Sequence, residues 1–189
     1  MNAPVRLIVG MSGASGAVYG IRLLEALRGT PVESHLVMSR AAAMTIAYET
    51  DRTAEQVRRL ADVAYPVGDI GAAIASGSYR TAGMVVAPCS IRTLSEVATC
   101  ATSNLLTRAA DVVLKERRRL VLLVRETPLH TGHLRMMAQA SESGAIIMPP
   151  VPAFYAKPQS LDDMIDHTIG RVLDLFDIEN ALVKRWKDG

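Results

Sequence analysis

Cysteine is scarce in this chain: Cys89 and Cys100 are the only two, and neither stands in a CxxC pair or a Cys/His ligand cluster. Their number and placement exclude a disulfide framework and a zinc-ribbon type of centre, and they fit a reducing, cytoplasmic compartment. Histidine is also sparse, and His130 and His133 stand three apart with no carboxylate cluster beside them, so no metal site is expected. No apolar run is long enough to span a bilayer. The amino-terminal MNAPVRLIVGMSG lacks both the charged start and the apolar core of a signal peptide. Repeats, low-complexity segments and linkers are missing too. Charge of one sign is equally lacking: 21 basic against 19 acidic residues leave a net +2. That gives no large field to draw the chain to nucleic acid or a membrane, so any affinity for an anion has to be local.

What is present is apolar sequence in short blocks. With 189 residues and 49% hydrophobic content, the chain can bury the core of one domain, residues 1–189. Val5 to Val9 reads as a strand, the small-residue turn Gly10 to Gly16 follows, and Val18, Ile21, Leu24 and Leu27 repeat at helical spacing. Ser34 to Met38 gives a second strand, with Ser39 placed to cap the Ala-rich helix from Arg40 to Tyr48. Thr53 and Gln56 have capping-box spacing and open another helix whose apolar face takes in Val57, Leu60 and Val63. Pro66 to Arg80 reads as loop.

Met84 to Ala87 is a buried strand stopping at Pro88, and Ser90 and Thr93 stand ready to cap a helix through Leu94 and Val97. Leu105 to Glu116 is helical, Leu120 to Val124 is a buried strand, Gly132 to Ser143 is a Met-rich helix stopped by Gly144, and Ala145 to Met148 is the last strand. Pro149 to Pro158 holds four prolines and reads as a stiff loop. Ser160 with Asp163 opens a final amphipathic helix. This alternation predicts an α/β fold, a single doubly wound parallel sheet with helices on both faces and its strand ends gathered on one edge.

Three features converge on that edge. Gly10, Gly13 and Gly16 are spaced GxxGxxG rather than GxGxxG, and no acidic residue closes the second strand. A mononucleotide or other phosphate ligand therefore fits better than a dinucleotide. Ser39, Ser90 and Thr93 add a hydroxyl rim suited to a polar heterocycle with a phosphate tail; Cys89 within it lacks an activating neighbour and reads as a small buried thiol. Arg125 and Glu126 follow a buried strand, and Pro128 stops it continuing, which places an Arg and a Glu at a binding crevice.

With those residues in view, the chain resembles the UbiX-type flavin prenyltransferases, within the wider fold of the homo-oligomeric flavin-containing cysteine decarboxylases. The stretches that carry the resemblance are GMSGASGAVYG, HLVMSRAA, ETD from Glu49 to Asp51, SGSY, APCSIRTLS, RAADVVLKERRRLVLLVRETPL, PPVPAFYAKPQSLDD and the RW at Arg185 and Trp186. The cysteine decarboxylase branch carries a PASANT-like signature where this chain has Ala75, Ser76, Gly77 and Ser78. Many relatives have an acidic residue at the position of Ser103, a departure that bears on local subunit contacts.

The resemblance implies a metal-independent transferase that alkylates reduced FMN with dimethylallyl phosphate, at flavin N5 and then by ring closure at C6. The product, prenylated FMN, is cofactor for a UbiD-type decarboxylase. It also implies a homo-oligomer, a dodecamer. Matched FMN positions are Gly13, Ala14, Ser15, Ser39, Ser90, Ile91, Arg92, Thr93 and Arg125. Those for dimethylallyl phosphate are Tyr155 and Arg171, with Lys115 and Arg108 near the phosphate across a subunit boundary. Glu126, Glu49, Ser15 and Lys115 form the implied catalytic set.

The chemistry agrees with those residue types. Breaking an allylic C–O bond builds negative charge on the leaving phosphate, which Arg171, Lys115 and Tyr155 can offset. Glu126 is suited to protonate that phosphate or relay the proton lost from flavin, a role that partial burial would favour. Glu49 is assigned a later proton transfer near C6. Arg117 to Arg119 read as a solvated connection. Two rival functions share the fold: an FMN-dependent oxidative decarboxylase of a cysteine-type substrate, and a non-catalytic flavin carrier subunit.

Overall fold

The computed structural model describes residues 5–183, 185 and 186; the signal-peptide expectation for residues 1–4 lies outside them. Six strands join one parallel sheet: β1 (Val5–Met11), β2 (Val32–Met38), β3 (Val63–Tyr65), β4 (Gly83–Cys89), β5 (Arg119–Val124) and β6 (Ala145–Ile147), in the order β3-β2-β1-β4-β5-β6. The apolar runs are nearly continuous because both faces are covered. Along β1, Leu7, Val9 and Met11 enter one core and Ile8 the other; along β5, Val121 and Leu123 alternate with Leu120, Leu122 and Val124.

Helices α1 (Ala17–Leu27), α2 (Arg40–Glu49), α3 (Ala54–Arg58) and α7 (Leu161–Asp174) pack on the first face. On the second lie α4 (Ile91–Ala98), α5 (Leu105–Lys115) and α6 (Thr131–Glu142). Truncating one of the fully buried leucines, such as Leu122, costs about 2–5 kcal/mol in such a core. Among the described residues no helix is long and apolar enough to cross a membrane.

The chain winds from β1 toward β3 on one side and from β4 toward β6 on the other, so the direction of winding reverses between β1 and β4. Ligands of such sheets bind beyond the carboxyl ends of the strands at that reversal. Here the ends are tied together. The Ser39 N–H donates to the Met11 carbonyl at 2.9 Å, and the Arg125 N–H donates to the Cys89 carbonyl at 3.0 Å. Buried Ser12 donates its hydroxyl to the Pro88 carbonyl at 2.9 Å and accepts the Ser90 N–H at 2.8 Å. Four strand ends thus share one rigid edge.

Several elements differ from their sequence patterns. Val63 does not lie on the third helix: α3 ends at Arg58, and Val63–Tyr65 pairs with His35, Leu36 and Val37 as an edge strand. The capping box of Thr53 and Gln56 forms as expected, but the apolar spacing beyond Val57 is satisfied by a turn and a strand. Gly10 belongs to β1, so the turn starts after Met11. Strand β4 runs through Pro88 to Cys89, and the register shift between Val86 and Cys89 accommodates a proline that has no N–H to give the ladder. Within the proline-rich loop Phe154–Ala156 makes one 3₁₀ turn, and another lies at Ala73–Ala75. The Ser160 and Asp163 capping box and the Gly144 stop, at φ 107°, are present.

Candidate active site

Beyond the β1 and β4 ends lies a cleft of about 670 Å³, lined by Ser12 and Gly13 from the first turn, by Ser39, Arg40, Ala41 and Met44 from α2, and by Ser90, Ile91, Arg92, Thr93 and Glu96 from α4. Val67, Asn104 and Glu126 close its rim. This is the size range of a pocket for a cofactor-sized ligand. Ser39 and Ser90 are the amino-terminal caps of α2 and α4, their hydroxyls accepting the N–H groups of Ala42 at 3.0 Å and Thr93 at 3.3 Å. Thr93 is not itself a cap; it lies one turn inside α4, and its hydroxyl accepts from Ser90 at 3.2 Å. Two helix N-termini, each a partial positive charge, therefore face one cavity.

The N-terminus of α1 behaves differently. Gly16 sits at φ 97°, a conformation open to glycine, and turns its own N–H and that of Ala17 toward the Glu49 carboxylate at 2.8 and 3.0 Å. Burial raises the Glu49 pKa, but hydrogen bonds from Ser15, Ala17 and Gly16 and the charge of Arg125 outweigh it, leaving the group below the usual carboxylate range. Glu49 is thus held as a carboxylate, able to accept a proton. Gly13 is placed by close approach: a methyl group there would lie 2.3 Å from the Ala41 side chain, so only glycine lets the turn meet α2.

Arg125 is half-buried and stands over the same turn, its charge reaching Glu49 and Tyr19. Glu126 lines the cleft but is exposed, its carboxylate accepting the Thr127 N–H at 3.1 Å. The partial burial that a proton-carrier role calls for is not provided within one copy. Cys89 is fully buried and burial pushes its thiol up, in keeping with an inert core position. Among the described residues no group of three or more His, Cys, Asp or Glu side chains gathers as a metal-binding cluster.

The remaining sequence-predicted residues stand elsewhere. Arg108 pairs with Asp111 on α5 at 2.9 Å. Lys115 ends that helix, pairing with Glu116 at 2.5 Å beside Gly77. Because α5 starts at the cleft edge and rises 1.5 Å per residue, Lys115 lies roughly 15 Å from that edge. Tyr155 donates to or accepts from His167 Nε2 at 3.2 Å and meets the Trp186 ring edge-on at 5.3 Å. Burial and then the Arg171 charge lower the His167 pKa, while Arg171 itself bonds Asp174 at 2.8 Å. None of Arg108, Lys115, Tyr155 and Arg171 lines the cleft of its own chain.

Arg118 departs from the solvated reading of the basic run: its guanidinium donates to the carbonyls of Gly77 at 2.7 Å and Tyr79 at 2.8 Å. Arg119 likewise bonds the Leu175 carbonyl and Asp177. Ser12, Glu96 and Asn104 line the cleft without being expected there from the sequence. Two signals were available: the Arg92 and Glu96 spacing of i, i+4, and an Asn just ahead of an apolar helix.

Comparison with known proteins adds to this geometry. A model of the Flavoprotein family matches residues 1–186. The flavin prenyltransferase UbiX of Escherichia coli K12 is 62% identical over 185 residues, covering 96% of this chain and 98% of that one. That of Thauera aromatica is 59% identical over 182 residues, covering 96% and 94%. Among solved structures, AnUbiX (PadA1) in complex with FMN and dimethylallyl pyrophosphate superposes with a TM-score of 0.96 at 50% identity, covering 99% of this chain and all of that one. A dodecameric FMN-dependent UbiX-like decarboxylase from Escherichia coli O157:H7 does so at 0.95 and 49%, covering 97% and 100%. By this identity along nearly its whole length, the chain belongs to the UbiX flavin prenyltransferase family.

Proposed function

We propose that the cleft binds reduced FMN and that the enzyme joins to its N5 and C6 the dimethylallyl group of dimethylallyl phosphate. The observation that carries this is the pairing of α2 and α4, whose N-termini and Ser39 and Ser90 caps face one cavity of about 670 Å³. The third N-terminus, on α1, is neutralised by Glu49. The flavin phosphate belongs between α2 and α4, and the ring system toward Gly13, Ala14, Ser15 and Arg125. Bound flavin supplies the electron-rich ring that accepts the prenyl carbon. The protein's share is to hold that ring, keep Glu49 as a proton acceptor near C6, and set Glu126 where a phosphate leaves.

Loss of that phosphate without a resident metal calls for Arg and Lys donors. Arg171, Lys115 and Arg108 are those donors, with the Tyr155 hydroxyl beside them, and their absence from the lining of their own cleft supports delivery from other copies in a homo-oligomer, a dodecamer. The single sheet supports reading residues 1–189 as one flavin-binding domain. Two unpaired cysteines support a reducing, cytoplasmic setting. The product suits a UbiD-type decarboxylase.

The cysteine decarboxylase alternative has support from fold alone, since TvaF from thioviridamide biosynthesis is 18% identical at a TM-score of 0.63. Anaerobic incubation of the enzyme with reduced FMN and dimethylallyl phosphate, followed by mass analysis of the flavin, tests the proposal. A flavin heavier by one prenyl group is expected. Unmodified flavin from folded, FMN-bound protein contradicts it, and carbon dioxide released from a peptide thiol would favour the decarboxylase instead.

A further inference from the structure

Glu96 is a carboxylate in a cleft meant for an anion, and only 14% of its side chain is exposed. One of its oxygens accepts the Ser103 hydroxyl at 2.6 Å; the other accepts Arg92 Nε at 3.1 Å. Ser103 is itself held by the Asn104 amide at 3.1 Å, so the segment leading into α5 anchors Glu96 from one side. Burial works against the charged form, yet bonds from Ser103, Arg92 and Thr107 keep the group ionised below the usual range.

Arg92 is its counterpart: 83% exposed, at the second position of α4, and also on the cleft wall. An exposed i, i+4 pair adds little by itself. Here the acid half is fixed, and Arg92 spends only Nε on it. Its two terminal amino groups make no hydrogen bond to any described residue. A guanidinium oriented at one edge and open at the other matches the bidentate geometry of a phosphate.

Resting on the flavin reading above, we infer that Glu96 is a positioning residue: it holds Arg92 across the mouth of the cleft to receive the flavin phosphate, and so selects phosphorylated over dephosphorylated flavin. Were Glu96 only a charge in the cleft it would repel the phosphate, and its removal would tighten FMN binding; as the holder of Arg92, its removal weakens FMN binding.

Calorimetric titration of the full chain with FMN and with riboflavin separates them. Glu96→Gln is expected to weaken FMN about five-fold and Arg92→Ala about ten-fold, the size of a lost charge-assisted contact. The double variant should be no weaker than Arg92→Ala alone, and riboflavin affinity should not move in any of them. Arg92 is exposed, so its variant reports even if Glu96→Gln folds poorly. Tighter or unchanged FMN binding by Glu96→Gln, or equal losses for FMN and riboflavin, overturns the inference. If the unsubstituted chain fails to bind FMN, the flavin reading falls as well; if it binds FMN and the variants are silent, only the role of Glu96 and Arg92 falls.

Discussion

The Glu49 carboxylate lies 2.8 Å from the Gly16 N–H, and this one contact decides which helix end is left for a ligand. It neutralises α1, leaving α2 and α4. It also predicts an acid limb of stability. The folded-state pKa of Glu49 is depressed, so its contribution is present above the unfolded value of about 4.3 and is lost as pH falls through the folded value. Urea midpoints of the parent and Glu49→Gln should differ at neutral pH and converge as pH falls below the unfolded value and through the depressed folded one. A gap that stays constant through the acid range counts against this role.

Glu126 touches the cleft without being tied to it. Replacing it with Gln keeps shape and removes the proton. FMN affinity should stay within about two-fold while prenylation slows about a hundred-fold, the scale of a lost general acid or base. Equal turnover in single-turnover assays removes Glu126 from the catalytic set.

Arg118 braces the loop that Lys115 rests on. Each of its two short bonds to a carbonyl is charge-assisted and partly buried, so Arg118→Ala should lower unfolding stability by about 1–3 kcal/mol. Calorimetric melting checks it; an unshifted melting temperature would mean the loop holds without Arg118.

The fold was legible where local chemistry and burial agree. Ser39, Thr53 and Ser160 each sit before a helix with the right partner residues, and β1 and β5 are apolar runs that need cover on both faces. Strand β3 was hidden because Val63 continues a helical spacing with Val57 and Leu60, and only pairing to β2 decides its state. In the cleft, Ser39, Ser90 and Thr93 can be found from strand-to-helix turns, whereas Arg92 follows only from the family resemblance. The capture of α1 by Glu49 cannot be found in this way, since 33 residues separate Glu49 from Gly16 and nothing local signals the contact. The family motif sets Lys115 apart from Arg117 to Arg119, yet its distance from its own cleft follows only from the direction of α5.

From that distance it follows, on the proposed function, that one copy supplies the flavin cleft and others supply the cations for the leaving phosphate. Lys115→Ala and Glu126→Gln subunits, each impaired alone, should be dissociated, mixed and reassembled, and prenylated flavin quantified by mass. Shared sites predict activity well above the sum of the two parents, because some clefts then receive an intact Lys115 and an intact Glu126 from different copies. Activity equal to that sum would mean that each copy completes its own site.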